Sequence, residues 1–412
     1  SPASSGRVSG WHFWIDRGGT FTDIVARAPD GTIRTHKLLS ENPGHYRDAA
    51  TAGIREMLGL PADATIPADL VSEVRLGTTV ATNALLERKG AKVLLLVDAG
   101  FGDLLRIGHQ TRPDLFALDI LLPEPLHAGV LEVSGRVAVD GTSLSALDDA
   151  ALLTALSEHR AAGYETCAIA LIHAWRHSDG ERRIVELARQ AGFAHVSASH
   201  EVSPLLGLVA RARTTVVDAY LAPVLRRYVE GVSAELPGIP LSFMQSNGGL
   251  ADAAAFRAKD AILSGPAGGI VGAARTAAEA DEELIIAFDM GGTSTDVALY
   301  AGRFERRLDT VIAGVDLRVP MLAIETVAAG GGSILTFDGQ RFQVGPESAG
   351  ADPGPAAYRR GGPLTVTDAN VLVGKIQPHH FPAVFGPDGN QPLDCEAVAT
   401  RFAELAAPLN RD

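Results

Sequence analysis

Apolar and polar positions alternate with a period of two in three short runs near the start of the chain, residues 11–16, 21–28 and 32–38. Such alternation places every second side chain on one face of a strand. Gly18-Gly19 and Asp30-Gly31 separate the runs and read as hairpin turns, so an antiparallel meander is expected. A helical period follows over 46–58, where Ala50, Ile54, Met57 and Leu58 share a face. A short strand at 74–76, a helix around 81–88 and a strand at 92–97 come next. Ser145-Ala146-Leu147-Asp148 and Ser178-Asp179-Gly180-Glu181 read as capping boxes opening two helices, with a buried-type strand at 166–172 between them. Strand, capped helix and strand in that order predict parallel crossover units and an α/β protein. Residues 201–213 show little periodicity ahead of a helix near 215–229, and a domain boundary is placed there. The stretches 352–363 and 385–392 are Gly/Pro-rich loops.

The meander contains half of a long-range repeat. Asp16-Arg17-Gly18-Gly19-Thr20-Phe21-Thr22-Asp23 and Asp289-Met290-Gly291-Gly292-Thr293-Ser294-Thr295-Asp296 agree at six of eight positions and lie 273 residues apart. Each copy follows an apolar strand and precedes another. A single copy could be an ordinary tight hairpin; two copies in the same context argue against that. Paired glycines leave no Cβ, so backbone N–H groups can converge on a phosphate. The hydroxyls of Thr20, Thr22, Thr293 and Thr295 add donors. Asp16 and Asp289, at the ends of the incoming strands, would repel a phosphate directly but can hold Mg²⁺ through its waters. Two such hairpins facing each other would clamp a nucleotide's phosphates, with Asp23 and Asp296 at the outer ends. A small-residue segment, Ser264 to Ala274 with Gly268 and Gly269, reads either as a close-packing helix opened by Pro266 or as a glycine-rich loop. Together these features point to an actin-like ATPase (ribonuclease H-like) duplicated fold of mixed sheets with flanking helices, binding ATP and Mg²⁺.

Composition narrows the setting. The 412 residues are 46% hydrophobic, enough for a large core, and the formal charge of −13 without a basic run disfavours nucleic acid or an anionic membrane. No apolar run is long enough to span a bilayer. Two cysteines, Cys167 and Cys395, cannot build a disulfide scaffold, which fits a reducing cytoplasm, and Cys167 reads as a core thiol. Residues 1–10 read as a disordered leader. His173 and His177 have the i, i+4 spacing of helical metal ligands but follow a strand, so loop packing competes with a metal role. His109 and Gln110 lie in a polar loop open to a substrate role. Thr78 and Thr79 precede a helix, where anion binding and simple N-capping are equally open.

Several segments beyond the repeat resemble the hydantoinase/oxoprolinase family: Leu76-Gly77-Thr78-Thr79-Val80-Ala81-Thr82-Asn83, Ser199-His200-Glu201-Val202-Ser203-Pro204, Thr214 to Leu221, Thr326 to Ser333 and Ser348 to Pro355. The resemblance covers about residues 11–411. Arg17 and Gly108-His109-Gln110-Thr111-Arg112-Pro113 are closer to the family's ATP-dependent 5-oxoprolinases than to its N-methylhydantoinases or acetone-carboxylase-type subunits. It implies an N-terminal actin-like domain at 11–205 and a second, hydantoinase A type, at 206–412, truncated at its C-terminus. The implied reaction opens 5-oxo-L-proline to L-glutamate at the cost of ATP, with a lactam substrate near Thr78, Thr79, Asn83 and His109. A hydantoinase B-like domain or subunit is the implied partner, in an oligomer. Two departures stand out: no further glycine-rich adenosine segment follows, and Ala357 occupies a position where the family pattern has Cys. The isolated fragment is therefore expected to be inactive. Asp368 and Asn370 match the family without an assignable role. A carboxylase subunit, a non-catalytic actin-like switch and a sugar kinase are the competing readings.

Overall fold

The computed structural model describes residues 10–42, 44–110, 116, 118–119, 124–386 and 388–407. The expected leader, apart from Gly10, and residues 111–113 of the polar loop fall outside them. The meander forms as β1 (Trp11–Arg17), β2 (Phe21–Arg27) and β3 (Ile33–Leu39). Helix α1 (Ala49–Leu58) starts three residues later than the periodicity alone indicates, because Asp48 takes the N-cap and accepts from Thr51 N. Gly59, with φ of 68°, ends it. Next come β4 (Val71–Thr78), longer than expected, and α2 (Val80–Leu86).

A second sheet is built from β5 (Val93–Asp98), β6 (His127–Val133), then helix α3 (Asp149–Ala161), β7 (Thr166–Ala170), α4 (Asp179–Gln190) and β8 (His195–Ala198). Its strands run β8-β7-β5-β6, all parallel, as crossover connections require. Neither expected capping box forms. Ser145 ends a short strand and Asp148 caps α3 instead, accepting from Ala151 N. Ser178 does occupy the N-cap of α4, without a side-chain bond. Glu181 is drawn inward: fully buried, it accepts from Leu171 N, Ser199 Oγ, and both the N–H and Nδ1 of His200. Buried Arg211 completes this network through Ser199 Oγ and the carbonyls of Leu171, Ile172 and Leu205. A buried carboxylate with that many donors gains far more than a cap could return.

Arg211 stands on α5 (Leu208–Glu235), a single 28-residue helix where a shorter one was expected. Its weak periodicity has a physical cause. The helix packs on β7 and β8, on α2, and on a later hairpin, so apolar residues surround it rather than forming one stripe. β9 (Leu241–Met244) and β10 (Leu250–Asp252) then return to the first sheet, whose order becomes β10-β9-β4-β1-β2-β3. The small-residue segment is helical, as α6 (Ser264–Glu279), with Pro266 in its first turn.

The second repeat copy joins β11 (Leu284–Met290) to β12 (Thr295–Ala301). The hairpin β13 (Arg306–Ile312) and β14 (Val315–Leu322) follows, then β15 (Glu325–Val327), which pairs with β12. Helix α6 covers one face of the β11–β12 sheet. On the other face Leu284, Ile286, Phe288 and Met290 line up with Leu299 beside Ile286, and Leu284 and Phe288 are 75% and 68% exposed. The hairpin β16 (Ser333–Phe337) and β17 (Phe342–Ser348), helix α7 (Val366–Leu372) and helix α8 (Cys395–Ala406) complete the described chain. Around α7 a small core of Leu39, Tyr358, Val371, Phe385 and Val398 buries Ala357 completely. Asp368 pins it, accepting from the N–H groups of Ala356, Ala357 and Thr365 and from Thr365 Oγ1. Cys167 is buried, and burial pushes its thiol pKa upward.

Candidate functional site

The repeated octapeptides fold alike. In β1–β2 Asp16 lies opposite Asp23, and in β11–β12 Asp289 lies opposite Asp296. Gly18 N donates to Phe21 O at 3.0 Å; the equivalent Gly291 N donates to Ser294 O at 2.9 Å. The next two N–H groups of each turn, on Gly19 and Thr20 and on Gly292 and Thr293, find no acceptor among the described residues. Loop carbonyls, by contrast, are tied off from behind. Ser40 bonds Gly18 O and Thr20 O, Thr79 bonds Arg17 O, and Gly331 N and Gly332 N bond Gly291 O and Gly292 O at 2.8 and 2.6 Å. Each turn is thereby fixed with donors outward.

The turns face one another, each threonine over the other's glycine. A Cβ on Gly292 would stand 2.3 Å from Thr20 Oγ1, and one on Gly19 would stand 3.7 Å from Thr293 Oγ1. Small residues also let the carboxylates in. A Cβ on Gly77 or Gly265 would lie 3.4 or 3.3 Å from Asp16 Oδ1, and one on Gly269 would lie 4.0 Å from Asp289 Oδ2. Asp16 opens onto the cavity at its floor. Although Asp16 keeps an exposed face toward the cavity, desolvation by these walls, then repulsion by Asp23 and Asp289, pushes its carboxyl up to about 6, against a smaller downward pull from Lys37. Asp296 is raised in the same direction, chiefly by burial, although it accepts from Thr326 Oγ1 at 2.6 Å.

Between the turns lies a cavity of about 1190 Å³. Asp16, Gly18, Gly19, Thr20 and Asp23 line it from one side, and Asp289, Gly291, Gly292, Thr293 and Asp296 from the other. Thr79, Asn83 and His109 stand on its wall. Other residues singled out from the sequence lie elsewhere. Thr22 and Thr295 are buried behind their turns, bonded to Ser40 Oγ and Ala329 O. Strand alternation requires this, since their neighbours Asp23 and Asp296 point to the cavity. Thr78 is buried and caps Val80 N, while Gly268 packs near Met244. Arg17 turns from the cavity to lie over the Tyr228 ring, 3.9 Å from Asp48. His177 meets Val139 O at 3.1 Å in a loop.

Sequence reasoning passed over Lys37, Arg213, Tyr358 and Thr367, all on the wall, and gave no part to Thr326 or Asn370. Lys37 was detectable in principle, because hairpin register sets it opposite Asp23. Among the described residues no group of three or more His, Cys, Asp or Glu side chains is placed to hold a metal. Asp16 and Asp289 alone would hold a cation through its waters, and the free N–H groups beside them fit phosphate oxygens; the donor set suits a magnesium nucleotide. No helix of the described residues is long and apolar enough to cross a membrane.

The architecture is α/β, with mixed sheets flanked by helices, and the same arrangement recurs in known proteins. A nucleotide-free acetone carboxylase superposes with a TM-score of 0.79 at 25% identity, and the ATP-dependent caprolactamase of Pseudomonas jessenii with 0.72 at 36%. Each match covers 97% of this chain and 59% of the other. The hydantoinase/oxoprolinase N-terminal region matches residues 12–192, and the hydantoinase/oxoprolinase model matches residues 211–412. The chain belongs to the hydantoinase/oxoprolinase family. It is 43% identical to 5-oxoprolinase 1 of Arabidopsis thaliana and 42% identical to 5-oxoprolinase of Saccharomyces cerevisiae, over 97% of its length. It spans about a third of those relatives, 34% of each.

Proposed function

We propose that this chain is the ATP-binding, phosphoryl-transfer part of an ATP-dependent cyclic-amide hydrolase that converts 5-oxo-L-proline, ATP and water to L-glutamate, ADP and phosphate. The observation that carries the reading is the pair of facing turns, whose unpartnered N–H groups converge on one cavity. The 43% identity to a 5-oxoprolinase supports the choice of substrate. In this reading the turns are the phosphate loops of an actin-like duplicated fold divided near residue 205. The N–H groups of Gly19, Thr20, Gly292 and Thr293 hold phosphate oxygens, and Asp16 and Asp289 hold the waters of Mg²⁺. The ion supplies charge neutralisation, the dominant need in phosphoryl transfer. Thr79, Asn83 and His109 face the lactam.

Amide resonance makes a five-membered lactam a poor electrophile. Phosphorylating its carbonyl oxygen removes that resonance and opens the ring carbon to water. The attack of water falls to a hydantoinase B-like domain or subunit, in an oligomer working in the cytoplasm. ATP turnover by the whole protein should rise on addition of 5-oxo-L-proline, and no rise with any cyclic amide would overturn the proposal. The higher TM-score to acetone carboxylase favours carbonyl activation in a carboxylase as a second reading. Acetone-stimulated turnover would select it.

A further inference from the structure

The two turns match in backbone but differ in what stands behind their last carboxylate. Asp296 accepts from a neutral hydroxyl, Thr326 Oγ1. Its counterpart Asp23 is held by an ammonium: Lys37 Nζ lies 2.6 and 2.8 Å from its two oxygens. Strand register imposes that contact, since β3 brings Lys37 directly opposite Asp23. The ammonium also lies 4.8 Å over the Phe21 ring, on the cavity wall. Three arginines share the wall, Arg213, Arg307 and Arg318, paired with Asp316, Glu325 and Asp309. Lys37 is the cation that β3 sets against the last carboxylate of the first repeat; at the corresponding place beside Asp296 stands Thr326.

We propose that Lys37 meets the transferred phosphoryl group, leaving Asp23 for a terminal phosphate oxygen held at the first turn. This assigns the turns distinct tasks: the first holds the group that moves, the second the phosphates that remain on ADP. The inference rests on the reading of the cavity as a magnesium nucleotide site. Exchange of partners is inexpensive, because the Lys37–Asp23 pair is partly exposed, 37% and 52%, and such pairs are weak. A flexible four-carbon stem carries the charge as a compact point donor. During transfer the bridging P–O bond breaks, its electron pair leaves with ADP, and a new P–O bond forms to the lactam carbonyl oxygen. Lys37 keeps its proton throughout and neutralises charge on the outer oxygens.

The test compares binding of Mg·ADP and of a non-hydrolysable Mg·ATP analogue to the whole protein by calorimetry. Lys37→Met should weaken the analogue about tenfold or more and ADP less than about twofold, as expected for one charged hydrogen bond to the terminal phosphate. Lys37→Arg should keep most of the preference for the analogue, a control if the Met variant folds poorly. Equal losses for both nucleotides, or none, would overturn the role of Lys37 while leaving the nucleotide site standing. Failure of the wild-type whole protein to bind either nucleotide would remove both.

Discussion

Replacing Gly292 with alanine puts a methyl group where the other turn already has a side chain. The new Cβ would stand 2.3 Å from Thr20 Oγ1 and 3.2 Å from Thr20 Cβ. Contact between such atoms settles near ~3.5 Å, so the hydroxyl must retreat by about 1 Å. Rotating Thr20 moves the hydroxyl but not its Cβ, and the two turns must still separate by a few tenths of an ångström. Thr20 Oγ1 is buried without a hydrogen-bond partner among the described residues, so the cost is steric. Gly292 lies outside the left-handed region, so no positive φ adds to the strain. Overpacking of this kind costs about 1–3 kcal/mol. The sequence-equivalent Gly19→Ala meets its nearest atoms only at 3.7 Å and should change stability by less than about 1 kcal/mol. Urea unfolding of both variants measures the difference. Thr20→Ala combined with Gly292→Ala should recover part of the loss, a coupling of about 0.5–3 kcal/mol. Equal stabilities for the two alanine variants, or no coupling with Thr20, would refute the interlocked geometry.

Asp16 has a folded-state pKa of about 6 against an ordinary 3.8, so its contribution to stability is present in acid and lost as pH rises through about 6. Asp16→Asn should therefore raise the thermal midpoint at pH 8 but not below pH 4 while abolishing turnover by the whole protein; a lower midpoint at pH 8 would contradict this. In the wild type, Mg²⁺-dependent nucleotide affinity should weaken as pH falls through about 6, measured by calorimetry at fixed Mg²⁺. Asp368→Ala strands three buried N–H groups and should cost about 3 kcal/mol or more in urea unfolding, and a loss under about 1 kcal/mol would disprove its pinning role. Phe288→Thr, on the exposed face of β11, should leave stability within about 0.5 kcal/mol in urea unfolding.

What could be read in advance was local. Alternating residues and Gly-Gly turns specify hairpins within eight positions, so both copies and their strands were visible, whereas the small-residue segment after Leu263 read equally as helix or loop until the structure showed it helical. Features set by distant partners were not. Glu181 looks like a capping residue until Leu171, Ser199 and His200 arrive from elsewhere in the chain and take its oxygens. Helix α5 hides its length because several elements surround it. Thr22 and Thr295 belong to the motif by spelling, yet the pleat sends them backward. Lys37 carries no sequence signature of its own; the register of β2 on β3 makes it part of the site.

The contact of Thr20 with Gly292 joins positions 272 residues apart. Closing so long a stretch carries an entropic cost that grows slowly with its length, about 0.6 kcal/mol per doubling. A ligand that needs both turns can therefore bind only a chain that has folded from one to the other, and a nascent chain that stops short of the second turn offers half a site. At a ligand concentration 100-fold above its Kd, binding adds about 2.7 kcal/mol to the folded state alone. A ligand bridging both turns would in this sense reward completion of the long middle of the chain.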